Sequence, residues 1–141
     1  MDRIPSFSKD HINMETGFSV SMTDKDITTF DLRFIKPNCG KYMSSAAMHS
    51  IEHILATVLR NSGYKNNIIY FGPMGCRTGF YLLTRDLEFD TVKKLLIESL
   101  VKAESFDTVP GALINECGNY KEHNLTAAKK YLKNFKNEIT Q

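Results

Sequence analysis

The residues best able to do chemistry lie in one short run, His49-Ser50-Ile51-Glu52-His53, a His-x-x-Glu-His pattern. Each helical residue turns by about 100°, so positions four apart differ by only about 40°, and His49 and His53 project from one face where both imidazoles can hold one metal ion. Glu52 lies about 60° from His49 on that side, which sets a carboxylate beside the ion in an acid/base position; the better-known His-Glu-x-x-His order places it on the opposite flank. A catalytic metal commonly keeps three protein ligands and one open position, so a third ligand must come from elsewhere. Cys117, in Glu116-Cys117-Gly118, is the candidate, with Gly118 permitting a sharp turn and a close backbone approach. Two imidazoles and a thiolate suit zinc or ferrous iron and do not suit magnesium or calcium. Taken singly, a helix histidine is more often structural and a free cysteine is more often a small buried hydrophobe. The pattern rises above chance because it falls on a capped, strongly periodic helix.

That helix is expected from Ser44 or Ser45, which can cap it, to about Arg60, with Asn61-Ser62-Gly63 as a stop signal. Before it, Phe18 to Met22 and Ile27 to Phe34 alternate around a turn at Thr23-Asp24-Lys25-Asp26, a hairpin with Phe30, Leu32 and Phe34 on one face and Thr29, Asp31 and Arg33 on the other. After it, Ile68 to Phe71 and Thr78 to Leu83 read as strands joined through a tight turn at Gly72-Pro73-Met74-Gly75, so Cys76 sits where the pair bends. A second helix is expected from a cap at Asp90 to about Glu104, with Val92, Leu95, Leu96, Leu100 and Val101 at helical spacing. A loop through Pro110 and Gly111 leads to Cys117. The last helix is expected over Leu125 to Ile139 behind a cap at Asn124. This order implies an α+β fold: a single domain, residues 1–141, with a mainly antiparallel sheet packed against helices.

Composition narrows the function further. A hydrophobic content of 42%, 24% charged residues and a net charge of +2 spread along the chain describe an ordinary globular protein without the basic face that nucleic acids require. No apolar run approaches the roughly 18 residues needed to cross a bilayer, and Met1 to Ser6 lacks a leader-like apolar stretch, so no membrane partner is expected and the expected location is cytoplasmic. The three cysteines, Cys39, Cys76 and Cys117, are an odd count without close pairing, which argues for thiol chemistry over disulfides.

With Met74-Gly75-Cys76-Arg77-Thr78-Gly79-Phe80 added, the chain resembles the S-ribosylhomocysteine lyase (LuxS) family. The resemblance runs from Ser6-Phe7 and Asp10-His11 through Phe30-Asp31-Leu32-Arg33-Phe34, His49 to His53 and Pro73 to Phe80, ending at Cys117-Gly118. It implies a LuxS/metallohydrolase-like fold and a homodimer with its sites at the subunit interface. The implied metal is ferrous iron, with zinc or cobalt as substitutes. The implied reaction is cleavage of S-ribosylhomocysteine to homocysteine and 4,5-dihydroxy-2,3-pentanedione, precursor of the quorum-sensing signal autoinducer-2. By matching positions, His49, His53 and Cys117 would hold the metal, Glu52 and Cys76 would be the acid/base pair, and Ser6, His11 and Arg33 would face the ribose. This chain departs from many family members at Tyr70 and Gly72, where Asp and Ser are common, and Cys39 has no family role.

The chemistry fits those residue types. The substrate's sulfur is on C5 and its latent aldehyde at C1, so the carbonyl must migrate to C3 before the thioether can leave by β-elimination, and each shift needs a Lewis acid and proton carriers. Cys76 beside Arg77 is suited to act as a thiolate base. Without the family pattern, Cys76 reads as a turn cysteine, Arg33 as a strand residue paired with a carboxylate, and His11 and His123 as surface residues. Two rivals share the helix motif. One is an inverzincin-type metallopeptidase, which usually takes a carboxylate third ligand in a longer chain. The other is a non-catalytic metal-binding module, which would need a fourth protein ligand that the sequence offers only in Cys39.

Overall fold

The alternating apolar runs form strands β1 (Gly17–Asp24), β2 (Ile27–Arg33), β3 (Ile68–Pro73) and β4 (Gly79–Arg85), and the helically spaced ones form α1 (Ser45–Arg60), α2 (Phe89–Ala103) and α3 (Leu125–Ile139). These elements come from a computed structural model that describes residues 1–141. The four strands make one antiparallel sheet in the order β1-β2-β4-β3, so the second hairpin joins the first through β4 and leaves β1 and β3 as edges. Phe30 and Leu32 of β2 and Phe80 and Leu82 of β4 point to one face and are fully buried there. The apolar stripe of α1, including Ile51, Ile54, Leu55 and Leu59, completes that core with Leu96 and Leu100 of α2 and Leu132 and Phe135 of α3. Phe34 joins sheet to α3 by stacking on Phe135 with ring centroids 4.2 Å apart.

Local chemistry explains where the helices begin. Ser44 caps α1 by accepting from the Ala47 N–H at 3.1 Å, and Asn124 caps α3 by accepting from the Ala127 N–H at 3.0 Å. For α2 the expected cap at Asp90 is corrected: the N-cap is Glu88, which makes no side-chain capping bond, and Asp90 lies in the first turn, where its charge still favours the helix dipole. The second hairpin also differs from expectation. β3 continues to Pro73, which an edge strand tolerates because the missing N–H faces no partner, and the reversal lies at Met74 to Thr78. There the Arg77 N–H donates to the Met74 carbonyl at 3.0 Å, and Arg77 takes the left-handed conformation at φ 62°. The connection between α2 and α3, residues 104–124, has no helix or strand of its own and lies across the exposed side of α1.

Candidate metal centre

His49 and His53 come from the exposed side of α1, and the 104–124 connection brings Cys117 over them. The Cys117 Sγ lies 3.3 Å from His49 Nε2 and 3.9 Å from His53 Nε2. An ion at ordinary bond lengths to imidazole and thiolate in tetrahedral geometry sets nitrogen and sulfur about 3.6 Å apart, so these spacings fit one shared ion. The rings are also correctly presented. His49 Nδ1 donates to the Glu122 carbonyl at 2.8 Å, and His53 Nδ1 donates to the Pro110 carbonyl at 2.9 Å. A carbonyl can only accept, so the proton of each ring sits on Nδ1 and the Nε2 lone pair faces the sulfur.

His123, expected at the surface, is instead part of this cluster. Its ring is half-buried and stacks on His49 with centroids 3.9 Å apart, and its Nε2 is 3.8 Å from Cys117 Sγ. The ligand atoms of His49, His53, Cys117 and His123 all lie within 4.8 Å of one another. Desolvation, then the neighbouring imidazoles of His49 and His53, hold His123 below the usual imidazole pKa. The signal that could have found it is position: it stands directly before the Asn124 cap and close behind Cys117. Cys39 is exposed and outside the cluster.

Gly118 does not supply the close approach expected of it: a Cβ there would meet nothing within 4 Å. Gly111 does, with φ +66° and its Cβ position 3.4 Å from His53 Nδ1. Beside Pro110, whose carbonyl fixes His53, the connection has to bend where only a glycine bends easily.

Glu52 is half-buried next to these rings. It lines one concavity with His49, Met74, Gly75 and Arg77, and an adjoining one with His53, Arg60, Tyr70 and Glu116. Tyr70 lies along β3 so that its hydroxyl end occupies the place a Cβ at Gly72 would take, so a large residue at 70 and glycine at 72 go together.

Cys76 belongs to a second constellation. Its Sγ lies 3.0 Å from Thr78 Oγ1 and 3.9 Å from Arg33 Nη1. Arg33 in turn donates to Thr78 Oγ1 at 2.8 Å and to Asp31 Oδ2 at 2.6 Å. Asp31 and Arg33 are both more than nine-tenths buried, and Asp31 Oδ1 and Arg33 Nε have no hydrogen-bond partner. Since Asp31 and Arg33 alternate with Phe30 and Leu32, they lie on the sheet face turned away from the helices, lining a concavity with Lys9, Met14 and Ser19. Ser6, in a short 3-10 turn over Pro5–Ser8, and His11, whose Nδ1 donates to the Lys9 carbonyl at 2.8 Å, lie in the N-terminal segment whose Lys9 and Met14 line that concavity, and neither lines it itself. One chain therefore brings Cys76 to Arg33, and brings His49, His53 and Cys117 to His123, with the two groups on different sides of the sheet.

The profile of one family, described as S-Ribosylhomocysteinase (LuxS), matches residues 4–141. A protein named S-ribosylhomocysteine lyase from Clostridium beijerinckii is 42% identical over 146 residues, covering 99% of this chain and 92% of its own. Proteins of the same name from Clostridium acetobutylicum and Borreliella burgdorferi are 44% and 45% identical, covering 96% and 97% of this chain and 90% and 94% of their own.

Proposed function

This chain belongs to the S-ribosylhomocysteinase (LuxS) family, and from that membership we propose that it is an S-ribosylhomocysteine lyase releasing homocysteine and 4,5-dihydroxy-2,3-pentanedione. The observation that carries the reading is the convergence of two correctly protonated imidazoles and a thiol on one ion-sized space beside a carboxylate. His49, His53 and Cys117 are the metal ligands; their donor set accepts ferrous iron, zinc and cobalt alike, and the family resemblance points to ferrous iron, with zinc or cobalt as substitutes. The bound ion supplies Lewis-acid polarisation of the sugar's carbonyl and hydroxyl oxygens.

The chain's own residues handle the protons. Two aldose–ketose shifts carry the carbonyl from C1 to C3, each taking a proton from one carbon and returning one to its neighbour. Removal of the C4 proton then forms the C4–C5 double bond as the C5–sulfur bond breaks, the departing sulfur is protonated to give homocysteine, and the enol left behind takes a proton at C5 and loses its O–H proton to give 4,5-dihydroxy-2,3-pentanedione. Cys76, aligned by Thr78 and Arg33, exchanges the carbon protons, while Glu52, beside His49, serves the oxygens and the leaving sulfur. Arg33, with its unpaired Nε, holds the ribose portion with Ser6 and His11.

A homodimer with interfacial sites reconciles the two constellations, since a second copy can set its N-terminal segment and its Arg33–Cys76 pair against the imidazole cluster. Apolar residues that one chain leaves exposed support that assembly: Phe7 and Ile12 near the N-terminus, Val20 and Met22 on edge strand β1, and Leu113 and Ile114 just before Cys117. No helix is long and apolar enough to cross a membrane, in keeping with a cytoplasmic enzyme that recycles sulfur and makes the autoinducer precursor for quorum sensing.

The test is anaerobic incubation of the iron-loaded protein with S-ribosylhomocysteine while free thiol is titrated. One homocysteine per substrate consumed is expected, and no thiol release, or peptide cleavage in its place, refutes the reading. One observation favours the alternative of a closed structural site: His123 supplies the fourth ligand atom, a third imidazole nitrogen, that such a site requires.

A further inference from the structure

The position of the His123 proton separates these alternatives, and it follows from Ser50. Ser50 is fully buried between the two ligand histidines in sequence, and its Oγ accepts from the Asn124 N–H at 2.9 Å while lying 3.0 Å from His123 Nδ1. Its hydroxyl proton has no other outlet. Thr57 and Ser99 return theirs to carbonyls four residues back, at 2.7 Å and 2.8 Å, and Ser50 does not. Were His123 to donate from Nδ1, Ser50 would accept twice and its buried O–H would go unpaired, at a cost of about 1–3 kcal/mol. The satisfied arrangement has Ser50 donating to Nδ1, which leaves the neutral ring's only proton on Nε2.

We propose that His123 is a positioning residue that donates an N–H···S hydrogen bond from Nε2 to the Cys117 thiolate, held in that tautomer by Ser50, and that it is not a fourth metal ligand. The proposal rests on Cys117 being a ligand. His49 and His53 are bonded at Nδ1 to acceptor-only carbonyls and present lone pairs to the sulfur, whereas His123 is bonded at Nδ1 to a donor and presents a proton. The 3.8 Å separation between Nε2 and Sγ lies in the long range of hydrogen bonds to sulfur. Two consequences follow. The fourth coordination position stays free for substrate, and the thiolate gives up part of its electron density, which makes the bound ion a stronger Lewis acid. Stacking on His49 fixes the ring plane that aims the N–H.

Cobalt(II)-substituted protein tests this, because thiolate-to-cobalt charge transfer reads the sulfur's electron density and the visible d–d bands read coordination number. His123→Phe keeps a ring against His49 and removes the N–H. It is expected to bind one cobalt with unchanged d–d intensity and about 10- to 100-fold weaker affinity, and to shift the charge-transfer band to lower energy. His123→Gln, whose amide N–H can replace the donor, is expected to restore most of that shift. Ser50→Ala is expected to shift the band in the same sense by less, and it carries the comparison should His123→Phe fail to fold by circular dichroism. A charge-transfer band unmoved in both His123→Phe and Ser50→Ala overturns the hydrogen bond. Loss of tetrahedral d–d intensity in His123→Phe overturns it differently, by making His123 a ligand. Cys117→Ala tests the underlying reading separately: a charge-transfer band persisting there removes Cys117 from the site, whatever His123 does.

Discussion

At the residue scale, three side chains with related chemistry have different surroundings, and their variants should separate cleanly. Cys117 is the sulfur against which the His49 and His53 imidazoles are set, so Cys117→Ala is expected to lose the metal. Glu52 borders the cluster without being within its ligand atoms, and Cys76 is bonded to Thr78 and Arg33 instead. Glu52→Gln and Cys76→Ala should therefore each keep one metal per chain while thiol release falls by about 10²–10⁴-fold, the usual contribution of a positioned acid or base. Metal analysis beside single-turnover thiol titration checks this. Retained metal in Cys117→Ala ends the ligand assignment, and near-normal turnover in either of the other variants ends its acid/base role.

At the element scale, α1 imposes the spacing of His49, Glu52 and His53, and the irregular connection 104–124 supplies what completes the site. That division also governs what could be read in advance. The helix, its Ser44 cap and its two histidines are encoded within one stretch of sequence, where periodicity is visible. His123 is not local in this sense: its place depends on a hydrogen bond to Ser50, 73 positions away, made only once the connection has folded over α1. Glu88 displaced Asp90 as the α2 cap because backbone geometry, and not side-chain capping strength, decides where that helix starts. For the same reason the wrong glycine stood out, since Gly118 adjoins the cysteine while Gly111 meets the conformational demand. Gly111→Ala must hold an L side chain at φ +66° against His53, which costs about 1–2 kcal/mol and pulls at the Pro110 carbonyl that orients the ring. Metal affinity is expected to fall about tenfold in Gly111→Ala, with Gly118→Ala staying within about 0.5 kcal/mol of the parent in stability. Chelator competition and thermal melts of the two variants decide it, and equal behaviour would show that the connection adapts.

At the scale of the whole molecule, the sheet separates a helix-side metal cluster from a far-side Arg33–Asp31–Thr78–Cys76 group, and each is tied into the fold in its own way. The far-side group is welded into the sheet: Arg33 and Asp31 are neighbours on β2, and Thr78 leads directly into β4. The metal cluster is held differently, with His49 and His53 on a rigid helix and Cys117 and His123 on a connection that has no secondary structure of its own. An ion there ties residue 117 to residues 49 and 53, so its binding energy is also energy for keeping the connection docked. A ligand that binds only the folded form stabilises it by about 4 kcal/mol at a thousandfold excess over its dissociation constant. Anaerobic removal of the metal is therefore expected to lower the melting temperature by several degrees, with hydrogen exchange rising chiefly in residues 104–124 while β2 and β4 keep their protection. Cys117→Ala should melt like the metal-free parent and gain nothing from added iron or zinc. A melting temperature that does not respond to metal in the parent protein would mean that the connection holds its place through the Glu122, Pro110 and Ser50 hydrogen bonds alone, and that the site is assembled before any ion arrives.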